Sequence, residues 1–360
     1  MTSLPRAMPA SLAQRLWRHL NGAENAPIAL TAIALTLAAS STSLWSPGAP
    51  LAWATLGLLS GMVLTGVIKV VRPSRPVVAG LAVLVLSVVL ASPLSLVFGE
   101  GRWILALLNA GWLLPFGLLY FLRIDRAKVL GWVVYPSLVH AAVILWHGLT
   151  EAGRATGFAY SPNPAAGWLT IMGVYCLGTK RYLAGSVLIA AIPFTQSRLA
   201  LLSLGAVLVI MLIRQPGTRR YLVGILVIGA IALLTANGID RYEPDVFWED
   251  LTRRWSMERN PHILPTGVVL TGAHNVPLRM ALETGIPSAL VWIGLTGFAL
   301  WRLRGPVRLA LLALALLGTA DYYIWSGPLV PLWWLLTQVP QDTDPPPPPA
   351  PGPAVRQPPD

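Results

Sequence analysis

Residues 129–149 read VLGWVVYPSLVHAAVILWHGL, an apolar run without Asp, Glu, Lys or Arg, preceded by Arg123, Arg126 and Lys128. A hydrocarbon layer takes ~20 mostly apolar residues of helix to cross, and this run supplies them. It is not alone. Comparable runs are read near 27–45, 51–71, 77–98, 103–122, 164–179, 182–195, 199–213, 221–236, 277–300, 307–320 and 322–338, which makes about twelve spans. The seventh, eighth and eleventh are short, which predicts tilted or broken helices on either side of Thr195 to Arg198. Composition agrees, since 55% hydrophobic and 11% charged residues cannot make a soluble globule, whose charged fraction is roughly 25%. The predicted fold class is all-α, a polytopic transmembrane helical protein.

The net charge of +11, from 26 basic against 15 acidic residues, reads as topology and attraction to anionic lipid rather than as a nucleic-acid surface. Alternate connections carry the basic residues: Arg6/Arg15/Arg18, Lys69/Arg72/Arg75, Arg123/Arg126/Lys128, Lys180/Arg181, Arg214/Arg219/Arg220 and Arg302/Arg304/Arg308. The positive-inside rule makes that side cytoplasmic, with both termini there. Residues 1–26 form a basic N-terminus in which Leu12, Leu16 and Leu20 share a helical face beside Trp17, suited to the membrane surface. No small-residue cleavage site follows the first apolar run, which suggests an uncleaved signal anchor. Residues 27–149 are N-terminal transmembrane helices, 150–338 a second membrane region with a long outer loop at 237–276, and 339–360 a proline-rich, disordered tail. The single cysteine, Cys176, rules out an intramolecular disulfide.

Arg102, Arg154, Arg198, Arg241, Arg253, Arg254, Arg259 and Arg279 fall on the other, outer side, against the topological trend. An acidic ligand there is the economical explanation. Polar groups reach that face in Glu151 to Pro164, Thr195 to Arg198, the loop 237–276, and Asp321 to Gly327. Ser161-Pro162-Asn163-Pro164 has the make-up of a helix start, since Asn caps and Pro suits the first turn. Arg198 sits where two short spans meet, so its guanidinium must snorkel or find an anion. His274 and Asn275 precede Pro277, and Asn275 or Val276 is a plausible cap for a helix whose exposed N–H groups favour anions. Asn275, Arg279 and Glu283 are spaced i, i+4, i+8 and line one helical face, so the buried carboxylate has Arg279 as its nearest partner. His140 and His147 share a face of the fifth span as packing or hydrogen-bonding groups, and no spacing resembles a metal site.

Taken in order, RATGFAYSPNPAAGWL (154–169), TQSRLALLSL (195–204), TRRW (252–255), AHNVPLRMALETGIPSALVW (273–292) and DYYIWSG (321–327) resemble the signature blocks of the O-antigen ligase and O-antigen polymerase superfamily. Pro287 and Ser288 stand where that family usually keeps a second glycine. The resemblance covers about residues 150–330. It implies an inverting, metal-independent glycosyltransferase of the bacterial inner membrane, with its active site on the periplasmic face and no cofactor. The implied partners are a polyprenyl-diphosphate-linked glycan donor, a glycan or lipid A core acceptor, and membrane lipid. It implies Arg198 and Arg254 on the diphosphate, His274 as the base for the acceptor hydroxyl, and substrate-binding roles for Arg253, Arg279, Asn275, Glu283, Arg154, Asn163 and Asp321. The chemistry is self-consistent, because two arginines can replace a metal on a leaving diphosphate and histidine titrates near ambient pH. Ligase, polymerase and protein O-oligosaccharyltransferase share these blocks. A flippase of lipid-linked sugars is the alternative class, but it predicts polar residues reaching the cytoplasmic side and paired half repeats, neither of which is seen.

Overall fold

The computed structural model describes residues 25–40, 48–70, 73–97, 113, 115–151, 153–159, 161–235, 261–263, 269–271, 276–319 and 329–338. These are mostly helical: α1 Asn25–Ala39, α2 Gly48–Leu64, α3 Arg75–Val97, α4 Arg126–Thr150, α5 Pro162–Gly178, α6 Tyr182–Ala191, α7 Arg198–Arg214, α8 Arg219–Thr235, α9 Val276–Thr284, α10 Ile286–Arg302, α11 Gly305–Gly318 and α12 Val330–Thr337. A helical stretch at 115–121 lies within the span expected at 103–122. Two short strands, β1 (Pro261–Ile263) and β2 (Val269–Thr271), pair antiparallel inside the loop expected at 237–276. The mostly helical structure agrees with the expected all-α class, and the hairpin is a short addition within that loop. Pro261 takes the first position of β1, where the missing N–H is tolerated.

Among these helices α4, with 25 residues, is long and apolar enough to cross a membrane by length and composition, while α1, α2, α3, α6, α10 and α11 are apolar but contribute shorter runs. The expected span 277–300 is corrected to two helices. Gly285 (φ 95°) separates α9 from α10, a left-handed conformation that glycine adopts without strain. Pro287 and Ser288 start the new helix, Ser288 Oγ donating to the Gly285 carbonyl at 2.7 Å. The break expected around Thr195 to Arg198 is present: α6 ends in a 3-10 turn at Pro193–Thr195, Gln196 is left-handed (φ 53°), and α7 begins at Arg198.

The core is built around α5, in which Pro164 to Leu177 are all buried. It packs against α4, α6, α7 and α11. Small residues allow the close approaches: a Cβ at Gly173 would lie 3.0 Å from Ile189, and one at Gly178 3.0 Å from Pro306. Apolar side chains also cover the outside, among them Leu226, Ile231 and Leu234 of α8 and Ile286, Leu290 and Trp301 of α10.

The connections sort into two ends. At one, Arg123 N donates to Lys69 O (2.9 Å), and Val70 bridges Leu122. Gln338 Nε2 donates to the carbonyls of Tyr120 (3.0 Å) and Leu122 (2.6 Å). At the same end Tyr175 Oη donates to Ala127 O (2.7 Å), Arg181 reaches Gly131 O (3.4 Å), and Tyr182 stacks on Tyr221 with centroids 4.2 Å apart. The other end lies beyond the far terminus of α4, some 36 Å away at ~1.5 Å per residue. There Ala155 N donates to Phe194 O (3.0 Å).

Candidate functional site

The second end holds the polar cluster. Ile192 to Ser197 are buried, yet the segment carries Thr195, Gln196 and Ser197 at 0, 7 and 5% exposure. A buried turn must satisfy its backbone groups within the protein. Thr195 N and Oγ1 both donate to Ile192 O (3.0 and 2.6 Å), and Gln196 N donates to Pro193 O (2.9 Å). Ser197 N donates to Thr195 Oγ1 (3.3 Å), and Arg154 braces the turn from outside: its Nε donates to Thr195 O at 3.0 Å, and its Nη2 to Asn163 Oδ1 at 2.6 Å. One guanidinium therefore ties the start of α5 to the turn that leads into Arg198, using the planar fork that lysine lacks.

Asn163 is corrected as the cap of α5. The helix begins at Pro162, behind an extended Ser161 whose side chain makes no capping bond. Asn163 lies inside the first turn and turns its oxygen to Arg154, a charge-assisted partner that outweighs a neutral backbone N–H. Pro162 occupies the first helical position, where its absent N–H costs nothing.

Between Arg154 and Asn163 the chain makes a second anchored turn. Gly157 has φ 58°, and a Cβ there would lie 2.7 Å from His140 Cε1 and 2.9 Å from Nδ1. The residue after it, Phe158, donates its N–H to His140 Nδ1 at 3.1 Å. His140 thus has the hydrogen-bonding role expected of it, on α4. Trp168 Nε1 donates to Ser137 Oγ at 2.8 Å one turn earlier on α4, which pins α5 to the same helix.

Of the residues singled out in sequence, Arg154 and Asn163 are in direct contact, and Arg198, half-buried, starts α7 three residues after the carbonyl that Arg154 holds. Arg279 is buried, at 6% exposure, on α9, which packs against α10 and α3. Glu283 lies one turn further along the same helix. α9 begins at Val276. Asn275, His274, Arg253, Arg254 and Asp321 lie outside the described residues, as do residues 1–24 and the tail 339–360. Sequence reasoning missed the Thr195 carbonyl and the left-handed Gln196. The Gly157 turn did carry a signal, a glycine three residues after the arginine.

Compared with known proteins, the chain matches no protein-family model, no curated protein and no solved structure.

Proposed function

We propose that the chain crosses a bacterial inner membrane about twelve times and transfers a glycan from a polyprenyl-diphosphate donor to an acceptor hydroxyl at its periplasmic face. The observation that carries this reading is the Arg154 fork. It clasps two sequence blocks 41 residues apart at the start of a helix headed by a basic side chain. Membrane placement is supported by the segregation of connections, because the contacts at the first end join the segment of Lys69 to that of Arg123, and Arg181 to the helix that Arg126 opens. The outward Leu, Ile and Trp side chains of α8 and α10 favour hydrocarbon over water as their solvent.

In the reaction, the acceptor oxygen attacks the anomeric carbon from the face opposite the diphosphate, forming the new glycosidic bond as the bond to the diphosphate oxygen breaks. The configuration inverts. His274 takes the acceptor's proton, and the polyprenyl diphosphate leaves carrying its negative charge against Arg198 and Arg254. Arg253, Arg279 and Glu283 have supporting roles in binding, and Asn275 and Asp321 complete the outer face. Whether the acceptor is lipid A core, a glycan or a protein is decided in cells. Inactivation should leave unattached glycan, single repeat units or unglycosylated protein, respectively. For the purified protein, transfer from a polyprenyl-diphosphate glycan that persists in EDTA is the expected result; no transfer to any of the three acceptors would refute the proposal.

A further inference from the structure

A cavity of about 480 Å³ lies between α1, α4 and α5, lined by Ala39, Val139, His140, Phe158, Ala165 and Trp168 among others. Interiors are close-packed, with few voids larger than a water molecule, and this volume falls in the range of ligand sites, ~300–1,000 Å³. Among the described residues its polar equipment is sparse. The hydroxyls of Thr36 and Ser40, which also line it, donate to carbonyls of their own helix (2.8 and 3.0 Å). His140 is the exception. Its Nδ1 accepts from Phe158 N, so the proton of the neutral ring sits on Nε2. That Nε2–H donates to no other residue among those described.

An ordered water needs two to four polar partners, so a wall whose described residues offer one ready donor is a poor container for a cluster of waters. An apolar chain ending in an oxygen suits it better. The cavity reaches the Arg154 end of the bundle, because Phe158 and Ala159 of its lining belong to the same loop as Arg154. We propose that this cavity holds the hydrocarbon chain of a membrane lipid, with an oxygen at the head end of that chain accepting a hydrogen bond from His140 Nε2. The inference depends on the helices lying in a membrane, as proposed above, but not on glycosyl transfer.

Two photoreactive probes test it on the full chain in nanodiscs: a diazirine analogue of farnesyl phosphate and a phosphatidylglycerol with a diazirine in its acyl chain. Labelled peptides are mapped by mass spectrometry. Labelling of the segments around Val139, Phe158 and Trp168 is expected. It should fall roughly tenfold in Ala165→Phe, which fills the cavity, while labelling of the outward faces of α8 and α10 persists as the control for folding. His140→Asn keeps an acceptor for Phe158 N–H but deletes the Nε2 donor, so half-saturation by the farnesyl phosphate probe should rise roughly 3- to 10-fold. Labelling by the farnesyl probe alone identifies an isoprenoid chain as occupant, and labelling by both identifies any membrane chain. Labelling confined to α8 and α10, or unchanged in both variants, would overturn the proposal. Turnover is not measured, so a failed transferase assay leaves this result standing, and a failed cavity leaves the transferase reading standing.

Discussion

Arg154→Ala should be among the most damaging single substitutions at the polar end of the bundle, and its cost can be partitioned. The substitution removes two charge-assisted hydrogen bonds, to Thr195 O and Asn163 Oδ1. Thr195 is fully buried, so its carbonyl loses a partner that water cannot easily replace, at roughly 1–3 kcal/mol. Asn163 is half-buried and can recruit water, so its loss is worth less. The sum is about 2–4 kcal/mol. A double-mutant cycle with Asn163→Ala isolates the second bond. Hydrogen bonds between membrane helices measured this way average about 0.6 and reach about 1.7 kcal/mol, and charge assistance moves the expectation to about 1–1.5 kcal/mol. Reversible SDS unfolding in mixed micelles is the suitable assay, since heating membrane proteins is commonly irreversible. Arg154→Lys should lose most of the coupling, because an ammonium cannot reproduce the fork. A coupling energy below ~0.3 kcal/mol, the usual limit of additivity, would show that the 2.6 Å contact does not organise the site.

Gly157→Ala places a Cβ against His140 at a positive φ and should destabilise by about 1–3 kcal/mol in the same assay; a neutral effect would mean the Gly157–Phe158 turn is not held as described. Lys180→Gly, at a left-handed residue (φ 62°) on an exposed connection, should instead stabilise by ~0.5–1 kcal/mol, and a loss of stability would contradict that reading. In a Cys176→Ala background, Gly238→Cys should react with an impermeant maleimide on intact cells and Gly217→Cys only after permeabilisation; outside labelling of both would remove the topology on which the site residues are grouped. Arg198→Lys should lose much of the transfer activity despite its retained charge, and full activity in both Arg198→Lys and Arg198→Ala would dissociate that residue from the diphosphate. His274→Ala should slow single-turnover transfer on the order of 10²-fold with donor affinity nearly unchanged; weakened donor binding with unchanged chemistry would make it a phosphate ligand.

The charge pattern made the two ends of the bundle legible. Lys69, Arg123 and Arg181 were grouped by sign and sequence parity alone, and neither the Arg123–Lys69 backbone bond nor the Arg181 side-chain contact with Gly131 could have been read from hydropathy. The breaks were legible only in part. Thr195 to Arg198 stood out because the flanking apolar runs were too short. Gly285 did not, because a single glycine hardly lowers the mean of a long apolar run, although its φ of 95° divides the helix. Helix ends were overrun for the same reason: hydropathy marks where hydrocarbon is tolerated, and backbone bonding decides where the helix stops, as at Leu64, ahead of the left-handed Gly66.

The block R-x-x-G-x-x-x-x-P-N has a structural logic that residue type alone conceals. Arg154 donates to Thr195 and Asn163, Gly157 admits the turn against His140, and Pro162 starts α5. Each of these bonds ends on the protein. Arginine in an outer loop had suggested an anion as its partner; the bonds to a carbonyl and an amide give Arg154 a further part, tying down the turn that carries Ser197 and Arg198. The proposed diphosphate charge then falls to Arg198 with an arginine of the 237–276 loop, two guanidinium groups for a leaving group with two phosphates. A site arranged so should respond to Arg154 substitutions in stability first, and in transfer only as far as the 195–198 turn moves.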